Sequence, residues 1–281
     1  MAENKQAIKA RIKSINTTMK ITSAMKLIAN AKLARQRRLM EQNREYSHTL
    51  KNTVSEILAD ASNSDNRYLK SKSSDSAITI IFCSDIGLCG GYNVNMMKLA
   101  LLELDPNDPI IVIGNKSRAY LETRGFKIVN EPVSSDSISF LEIKNLVDQA
   151  INYYDLDEVS KIQVIYTEFM NTVSFEPRLV QLLPYVKEER QDLAHSYQET
   201  IFEPNSDEVL NHLIPMMLEN VTYAYWMETK TSEQGTRRLA MENATDNAKE
   251  LNEELLLRYN KARQTAITQE ITEIVAGADA I

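Results

Sequence analysis

The sequence has 281 residues, 43% hydrophobic and 25% charged, which is typical of a folded protein of one or two domains. Two cysteines and three scattered histidines argue against a disulfide framework and a multi-histidine metal site. The net charge is −7, yet residues 1–46 carry 11 Lys and Arg against 3 Asp and Glu, so this segment is expected to meet an acidic partner. Composition leaves open whether that partner is nucleic acid, membrane or protein. No apolar run is long enough to predict a transmembrane helix or a secretory signal.

The first 86 residues contain no glycine, and apolar residues recur there in steps of three and four. One line is Ile8, Ile12, Ile15 and Met19, and a shifted line follows at Met25, Ile28 and Ala31. This spacing predicts a helix from about Lys5 to about Leu58, roughly 80 Å long. Residues 1–60 are therefore assigned to an N-terminal coiled-coil helix. The polar run from Ser62 to Asn66 should end it, and residues 71–76 should be a linker.

The other end of the chain has a similar pattern. A stripe with steps of three and four runs through Ala240, Ala244, Ala248, Leu251, Leu255, Tyr259, Ala262 and Ala266. It predicts a helix from about Ser206 to about Val275, roughly 100 Å long, with Asp207 as a plausible cap. Helices of this length need a partner along their length, so residues 206–281 are expected to form an antiparallel coiled coil with the first helix.

Residues 75–195 predict a central α/β domain. Short apolar runs, 77–82, 109–114 and 161–166, read as strands, and helical patterns lie at 94–104, 117–123 and 138–153. This alternation is typical of a parallel sheet covered on both faces. The predicted fold class is α/β: a long antiparallel coiled coil of the N- and C-terminal helices with an inserted Rossmann-like parallel-sheet domain.

Turn residues are concentrated in Ser84–Asn93, between a predicted strand and a predicted helix. A phosphate-binding loop needs a lysine directly after its last glycine, and here Tyr92 follows the glycine pair. We interpret the segment as a tight turn with positive φ angles, capped by Asn93. Cys89 is expected to be a buried, inert thiol. A nucleotide-using α/β enzyme is an alternative that this spacing disfavours.

A second alternative is a basic coiled-coil protein that binds nucleic acid. Side chains that could bind phosphates are Lys20, Lys26, Lys32, Arg35, Arg37 and Arg38. No aromatic residue that could stack on bases precedes Tyr46. Trp226 is expected to serve packing. No catalytic or metal-ligand constellation stands out.

Three segments together resemble the gamma subunit of bacterial F-type rotary ATP synthases. They are Ile12–Lys26, Ser84–Asn93 and Asn260–Ala280, and the last contains Ile-Thr-Gln-Glu followed by Gly-Ala near its end. The resemblance covers the whole chain in the expected order. The family usually has Arg in place of Ile86 and often Met in place of Arg238, so local contacts at these two positions are not carried over. The cysteine-containing insert of the chloroplast form is missing, which predicts that there is no thiol switch.

The resemblance implies a central-stalk rotor subunit that transmits torque between an ion-driven c ring and a catalytic hexamer of alpha and beta subunits, for ATP synthesis or hydrolysis. The expected partners are the alpha, beta and epsilon subunits and the c ring, with no nucleic acid and with membrane association through the c ring only. The chain is expected to have no catalytic site and to bind no cofactor directly, because ATP, ADP and Mg²⁺ bind the partner subunits. Protons or sodium ions could drive the ring. The Met start without a transit segment favours a peripheral position on the cytoplasmic face of a bacterial membrane.

The same resemblance implies which residues make contacts. The expected contacts with the beta subunits are Met25, Arg237, Gln264, Thr268 and Glu270. Gln264 and Thr268 are four residues apart and therefore share one helix face. Phe202 and Glu203 are expected in a foot near the c ring.

Overall fold

The computed structural model describes residues 5–60, 66–70, 72, 74–185, 203 and 205–278. The chain divides into two compact units, residues 1–31 with 237–281 and residues 32–236. The second unit includes the sheet together with parts of both long helices. Most of the polar run from Ser62, and the end of the predicted α/β domain at 186–195, lie outside the described residues. No helix in the described part of the chain is long and apolar enough to cross a membrane.

The two long helices are α1, Lys5–Asp60, and α5, Ser206–Ala278. Both lie close to the predicted bounds, because helix breakers are almost missing from these segments. The cap of α5 differs from the prediction. Asn205 accepts the N–H of Glu208 through its side-chain oxygen at 2.9 Å, whereas Asp207 already lies in the first helical turn. The Asp207 cap was wrong because a capping side chain has to precede the first helical residue.

The second unit contains a five-stranded sheet in the order β3-β2-β1-β4-β5. Its strands are β1 (Ala77–Phe82), β2 (Pro109–Ile113), β3 (Lys127–Ile128), β4 (Lys161–Phe169) and β5 (Phe175–Leu183). The three predicted strands, β1, β2 and β4, run parallel, as predicted; β3 is parallel to β2, and β5 runs antiparallel to β4. The sequence reading missed β3, which is two residues long, and β5, where a proline and charged residues interrupt the apolar pattern.

Helices cover both faces of the sheet, as predicted. They are α2 (Tyr92–Glu103), α3 (Arg118–Thr123) and α4 (Phe140–Asp155), and α4 begins with a capping box between Ser139 and Glu142. One core cluster joins Ile80 and its neighbours to α4 and α5, and the other joins Ile81 to α2 and α3. Adjacent strand residues point to opposite faces, so Ile80 and Ile81 separate the two clusters.

Within the predicted linker, Lys72 contacts the C-terminal end of α4 and the residues that follow it. The Lys72 ammonium lies 3.8 Å from the centroid of the Tyr154 ring and 2.6 Å from the Asp157 carboxylate. Tyr68 is buried, and its carbonyl accepts the N–H of Tyr185 at 2.9 Å. At least at these residues, the segment that leads from α1 into the sheet is packed against the domain.

Candidate functional surface on the helix pair

In the first unit, α1 and α5 pack along a regular seam. On α1 the seam is a regular line of buried or half-buried positions: Ile8, Ile12, Ile15, Met19, Thr22, Lys26 and Ala29. Steps of four and three alternate, which gives the 3.5-residue repeat of a two-stranded coiled coil. The predicted shifted line does not lie in the seam, because Ile28 is 59% exposed and Ala31 is exposed. Thr22 and Lys26 take its place, since both find polar partners across the seam.

The α5 side of the seam runs through Met241, Thr245, Ala248, Asn252, Leu255, Tyr259, Ala262 and Ala266. Most of the predicted stripe is confirmed, with Ala240 and Ala244 half-buried beside it. Leu251 was assigned to the stripe wrongly, since it is 39% exposed. The exposure follows from the 3.5-residue repeat, which places Asn252 rather than Leu251 toward α1.

A polar layer crosses the seam near the end formed by Ala29 and Met241. The hydroxyls of Thr22 and Thr245 lie 2.8 Å apart, and the Lys26 ammonium lies 2.9 Å from the Glu242 carboxylate. The hydrogen bond and charge of Lys26, with a further contribution from Arg238, lower the pKa of Glu242. As residue numbers rise on α1 they fall on α5, so the helices are antiparallel. Polar contacts at one level of an otherwise small and apolar seam fix the register of the two helices.

The part of α5 that follows the seam is partly apolar and exposed on all sides, since residues 267–276 are all exposed. At 100° per residue, Gln264 and Thr268 share one face of α5 with Ile267, Ile271 and Val275. The three apolar side chains are 46%, 56% and 53% exposed. We call these five residues the outer face of α5. A contiguous apolar face with polar groups among it is the usual composition of an interaction surface.

Two predicted contact residues lie on the outer face, with different hydrogen-bonding capacity. The Thr268 hydroxyl donates to the Gln264 carbonyl at 3.0 Å, so it offers a partner its acceptor lone pairs. The exposed Gln264 side-chain amide can both donate and accept. Glu270 is exposed as well, but at 100° per residue it lies on another side of α5, closer to the line of the seam than to the outer face.

The other predicted residues lie elsewhere. Met25 is half-buried beside the seam, next to the exposed Ile21 and Ile28. Arg237 is only 5% exposed. It lies 27 residues before Gln264 on α5, roughly 40 Å along the helix axis. Glu203 is exposed, and Phe202 lies outside the described residues. The structure thus places Gln264 and Thr268 on one face of α5, Glu270 on another side of the same stretch, and Met25 and Arg237 at a separate level.

The glycine turn, Ser84–Asn93, holds itself together. Leu88 and Gly90 have φ angles of 61° and 56°, which confirms the expected positive φ. Asn93 is not the cap, since Gly91 occupies that position. Instead its side-chain amide donates to the Ser84 hydroxyl at 2.7 Å, and its oxygen accepts the Ser84 N–H at 3.2 Å.

The cysteine environments match an inert role. Cys83 and Cys89 are both buried, as expected for Cys89, and burial raises the pKa of the Cys83 thiol to about 11. Such a thiol stays protonated and unreactive at neutral pH. In the described part of the chain, no group of three or more His, Cys, Asp or Glu side chains is placed to hold a metal ion.

Comparison with known proteins places the chain in a family. A sequence profile of the ATP synthase family matches residues 4–281. The ATP synthase gamma chain of Mesoplasma florum is 38% identical, with 99% of both chains aligned. A sodium ion specific ATP synthase gamma chain of Acetobacterium woodii is 35% identical over the full length of both chains.

Solved structures share the fold. A chain from the central stalk and c-ring structure of the Tetrahymena thermophila mitochondrial ATP synthase has a TM-score of 0.58 at 22% identity, covering 80% of this chain and 99% of that one. A chain from the Euglena gracilis enzyme also has a TM-score of 0.58, at 15% identity, covering 92% and 95%. The resemblance carried by the three sequence segments is therefore confirmed, and the chain belongs to the family of ATP synthase gamma chains.

Proposed function

We propose that this chain acts as a torque-transmitting shaft between an ion-driven c ring and the alpha and beta subunits of the synthase. One observation carries the proposal: the helix pair has a register-fixed seam, and α5 continues beyond it with an exposed, partly apolar surface. The seam makes the pair a single stiff element. The outer face leaves apolar and polar groups available to partners that surround the shaft.

The outer face contacts the beta subunits in this proposal. Gln264 donates to or accepts from a beta loop, Thr268 accepts, and Glu270 adds a charge on another side of the same stretch of α5. Met25 provides a second contact, one level away along the seam. Arg237 is nearly buried, so we assign it the role of supporting the helix at that second level.

The remaining partners are assigned by family membership. The epsilon subunit and the c ring bind the foot, for which Phe202 and Glu203 stay the proposed contacts. ATP, ADP and Mg²⁺ bind the partner subunits, and the chain itself is non-catalytic. The complex is peripheral on the cytoplasmic face of the membrane. The coupling ion is a proton or a sodium ion; one relative is named as sodium ion specific.

Reconstitution tests this function. The purified chain is mixed with separate alpha and beta subunits, and complex size and ATP hydrolysis are measured. The test variant is Gln264→Ala with Thr268→Ala. Its matched control is Gln269→Ala with Thr265→Ala, an exposed pair of the same residue types and spacing on another side of α5.

The rotor function predicts one chain per hexamer and faster hydrolysis than the hexamer without it. The test variant should lose this acceleration and the control should keep it. If both variants behave as wild type, the outer face is not the contact. If the wild-type chain forms no complex with competent alpha and beta subunits, the rotor function itself is contradicted.

A further inference from the structure

The end of β4 lacks a strand partner on one side. β1 stops at Phe82, and its last pairing with β4 is at Ile165, whereas β4 continues to Phe169. On the other side, Thr167 lies opposite Pro177 of β5, which has no N–H to offer. The backbone groups of Thr167 therefore need partners from outside the sheet.

α5 supplies those partners through its side chains. The N–H of Thr167 donates to the Thr229 hydroxyl at 3.1 Å, and the Thr167 carbonyl accepts the Ser232 hydroxyl at 3.1 Å. One step further, the N–H of Phe169 donates to the Glu228 carboxylate at 3.0 Å. Three side chains on one helix thus replace the missing strand.

The carboxyl end of β4 lies at the position where open α/β sheets bind their ligands. In the order β3-β2-β1-β4-β5, the chain connects β1 to β2 on one side and returns to β4 on the other. The switch point lies between β1 and β4, and ligands of such sheets bind there, beyond the carboxyl ends of the strands. In this chain, Thr229 and Ser232 occupy that crevice at the β4 side.

A buried charged group holds the same stretch of α5. The side chain of Lys230 is 3% exposed and that of Glu233 is 0% exposed, and their charged groups lie 2.6 Å apart. Lys230 also pairs with Asp136, in the segment before α4. An ion pair at this depth needs several well-placed partners to offset its loss of hydration.

Asp85, in the glycine turn, bonds the segment that contains Asp136. One Asp85 carboxylate oxygen accepts the N–H of Asp136 and the Ser134 hydroxyl, each at 2.8 Å. The Trp226 indole N–H donates to the Ser135 carbonyl at 3.2 Å. Asp85 therefore shapes the segment that presents Asp136 to Lys230.

The β4–β5 hairpin packs closely against α5 at Gly235. A Cβ atom at Gly235 would lie 2.4 Å from the Phe175 ring, well inside contact distance. Only a glycine lets α5 approach the hairpin this closely.

We propose that α5 residues 228–235 fill the ligand crevice of the α/β sheet as a built-in ligand, and that this contact is the joint through which the domain drives α5. Thr229 and Ser232 bond the end of β4, Lys230 bonds Asp136, and Gly235 meets Phe175. The glycine turn serves this joint through Asp85 instead of cradling a phosphate. The proposal rests on the rotor function. Thr229 is a positioning residue in it.

The test compares three variants in the complex with alpha and beta subunits. Thr229→Val removes the hydroxyl that accepts from Thr167, and Thr229→Ser keeps it. The matched control is Thr231→Val, a fully buried threonine two residues away whose hydroxyl donates to the Met227 carbonyl of its own helix. A bead is attached at Leu102→Cys, since Leu102 is 79% exposed in α2.

Two quantities are measured on each complex. The first is hydrogen exchange at the Thr167 amide. The second is the spread of bead angles while the hexamer is locked with a non-hydrolysable nucleotide. A stiff joint predicts exchange about tenfold faster in Thr229→Val, equivalent to about 1.4 kcal/mol. It also predicts a wider angular spread in that variant alone.

Thr229→Ser should behave as wild type in both measurements. The joint is overturned if Thr229→Val and Thr231→Val show the same angular spread, or if Thr229→Ser is as loose as Thr229→Val. A wild-type chain that assembles with the hexamer and accelerates hydrolysis keeps the rotor function in either case. A wild-type chain that never assembles contradicts both proposals.

Discussion

The helix α5 uses two different chemistries along its length. From Met241 to Ala266 one side is buried in a small, largely apolar seam and the opposite side is exposed. From Thr229 to Gln234 every side chain is at most 3% exposed, and all six residues are polar or charged. The same helix is thus exposed on one side between Met241 and Ala266 and buried on all sides between Thr229 and Gln234.

The difference follows from what each stretch has to do. A stretch that turns against partners needs an outward face free of its own chain, so only one side can be buried. A stretch gripped by a domain is enclosed, and an enclosed stretch that also bonds a strand end must bury polar groups with partners. The contrast predicts that the two stretches respond differently to the same kind of substitution.

The largest effect is expected at the enclosed charge. Lys230→Met removes the cation beside the buried Glu233 carboxylate, which should lower the free energy of unfolding by about 3–5 kcal/mol. Arg258→Met on the seam stretch removes an exposed pair with Glu254 and should change it little. Urea denaturation of the full chain measures both. Equal effects would remove the distinction between the two stretches.

The next effect is expected at Gly235. In an ordinary helix interior, Gly→Ala stabilises by about 1 kcal/mol. Here the new Cβ would strike Phe175, so Gly235→Ala should destabilise by about 1–3 kcal/mol. Combining it with Phe175→Ala should cost less than the sum of the two single changes. Greater stability of the single variant would show that the hairpin yields and does not grip the helix.

A similar or slightly smaller effect is expected in the seam, where the line of contact can be tested directly. Ala29 is 1% exposed, so Ala29→Leu should overpack the seam and lower the free energy of unfolding by about 1–3 kcal/mol. Ala31, two residues away, is exposed, and Ala31→Leu should stay within about 0.5 kcal/mol. Thermal unfolding of the two variants separates the observed seam from the line that the sequence predicted. A larger loss of stability in Ala31→Leu than in Ala29→Leu would instead support the line of contact predicted through Met25, Ile28 and Ala31.

The smallest effect is a change in pH dependence. Burial has the largest effect on Glu228 and raises its pKa. The hydrogen bond from the Phe169 N–H lowers the pKa, the Glu168 charge raises it and the Arg44 charge lowers it, and the net shift is upward. The folded state then holds this proton more tightly than the unfolded chain, so the contribution of Glu228 to stability falls as pH rises through the raised pKa. Glu228→Gln should remove that decline while still accepting from Phe169.

Glu142 gives a control of opposite sign. The Ser139 N–H and hydroxyl lower its pKa, so its contribution is present above the unfolded pKa and is lost as pH falls through the folded value. Urea midpoints between about pH 3 and 7, which extend to both sides of the ordinary carboxyl pKa values, show both slopes. Parallel slopes for Glu228→Gln and wild type would contradict the assigned burial of Glu228.

Much of the fold followed from the sequence because its signals are local and repeated. The stripe from Ala240 to Ala266 and the apolar runs at 77–82 and 161–166 each determine an element by periodicity. The strand β5 did not, because its residues are placed by pairing with β4 and not by a pattern of their own. Thr22 and Lys26 were missed in the seam because polar residues there depend on partners more than 200 positions away.

The candidate surface divides in the same way. Gln264, Thr268 and Glu270 were found from a family motif, and their exposure agrees with a contact role that stays a prediction. The burial of Arg237 could not be read from the motif. The enclosed Lys230 was also invisible, since an isolated lysine within a helix is normally exposed. Its burial depends on the packing of the hairpin and of the Asp85 turn around α5, which the sequence pattern does not show.

The central claim is that this chain turns as a shaft, and single-molecule rotation tests it most directly. The chain is assembled with alpha and beta subunits fixed to a surface, and a bead is attached at Leu102→Cys of the α/β domain. On addition of ATP, we predict that the bead turns continuously in one direction. A hexamer that contains the chain and hydrolyses ATP while the bead stays still would contradict the account.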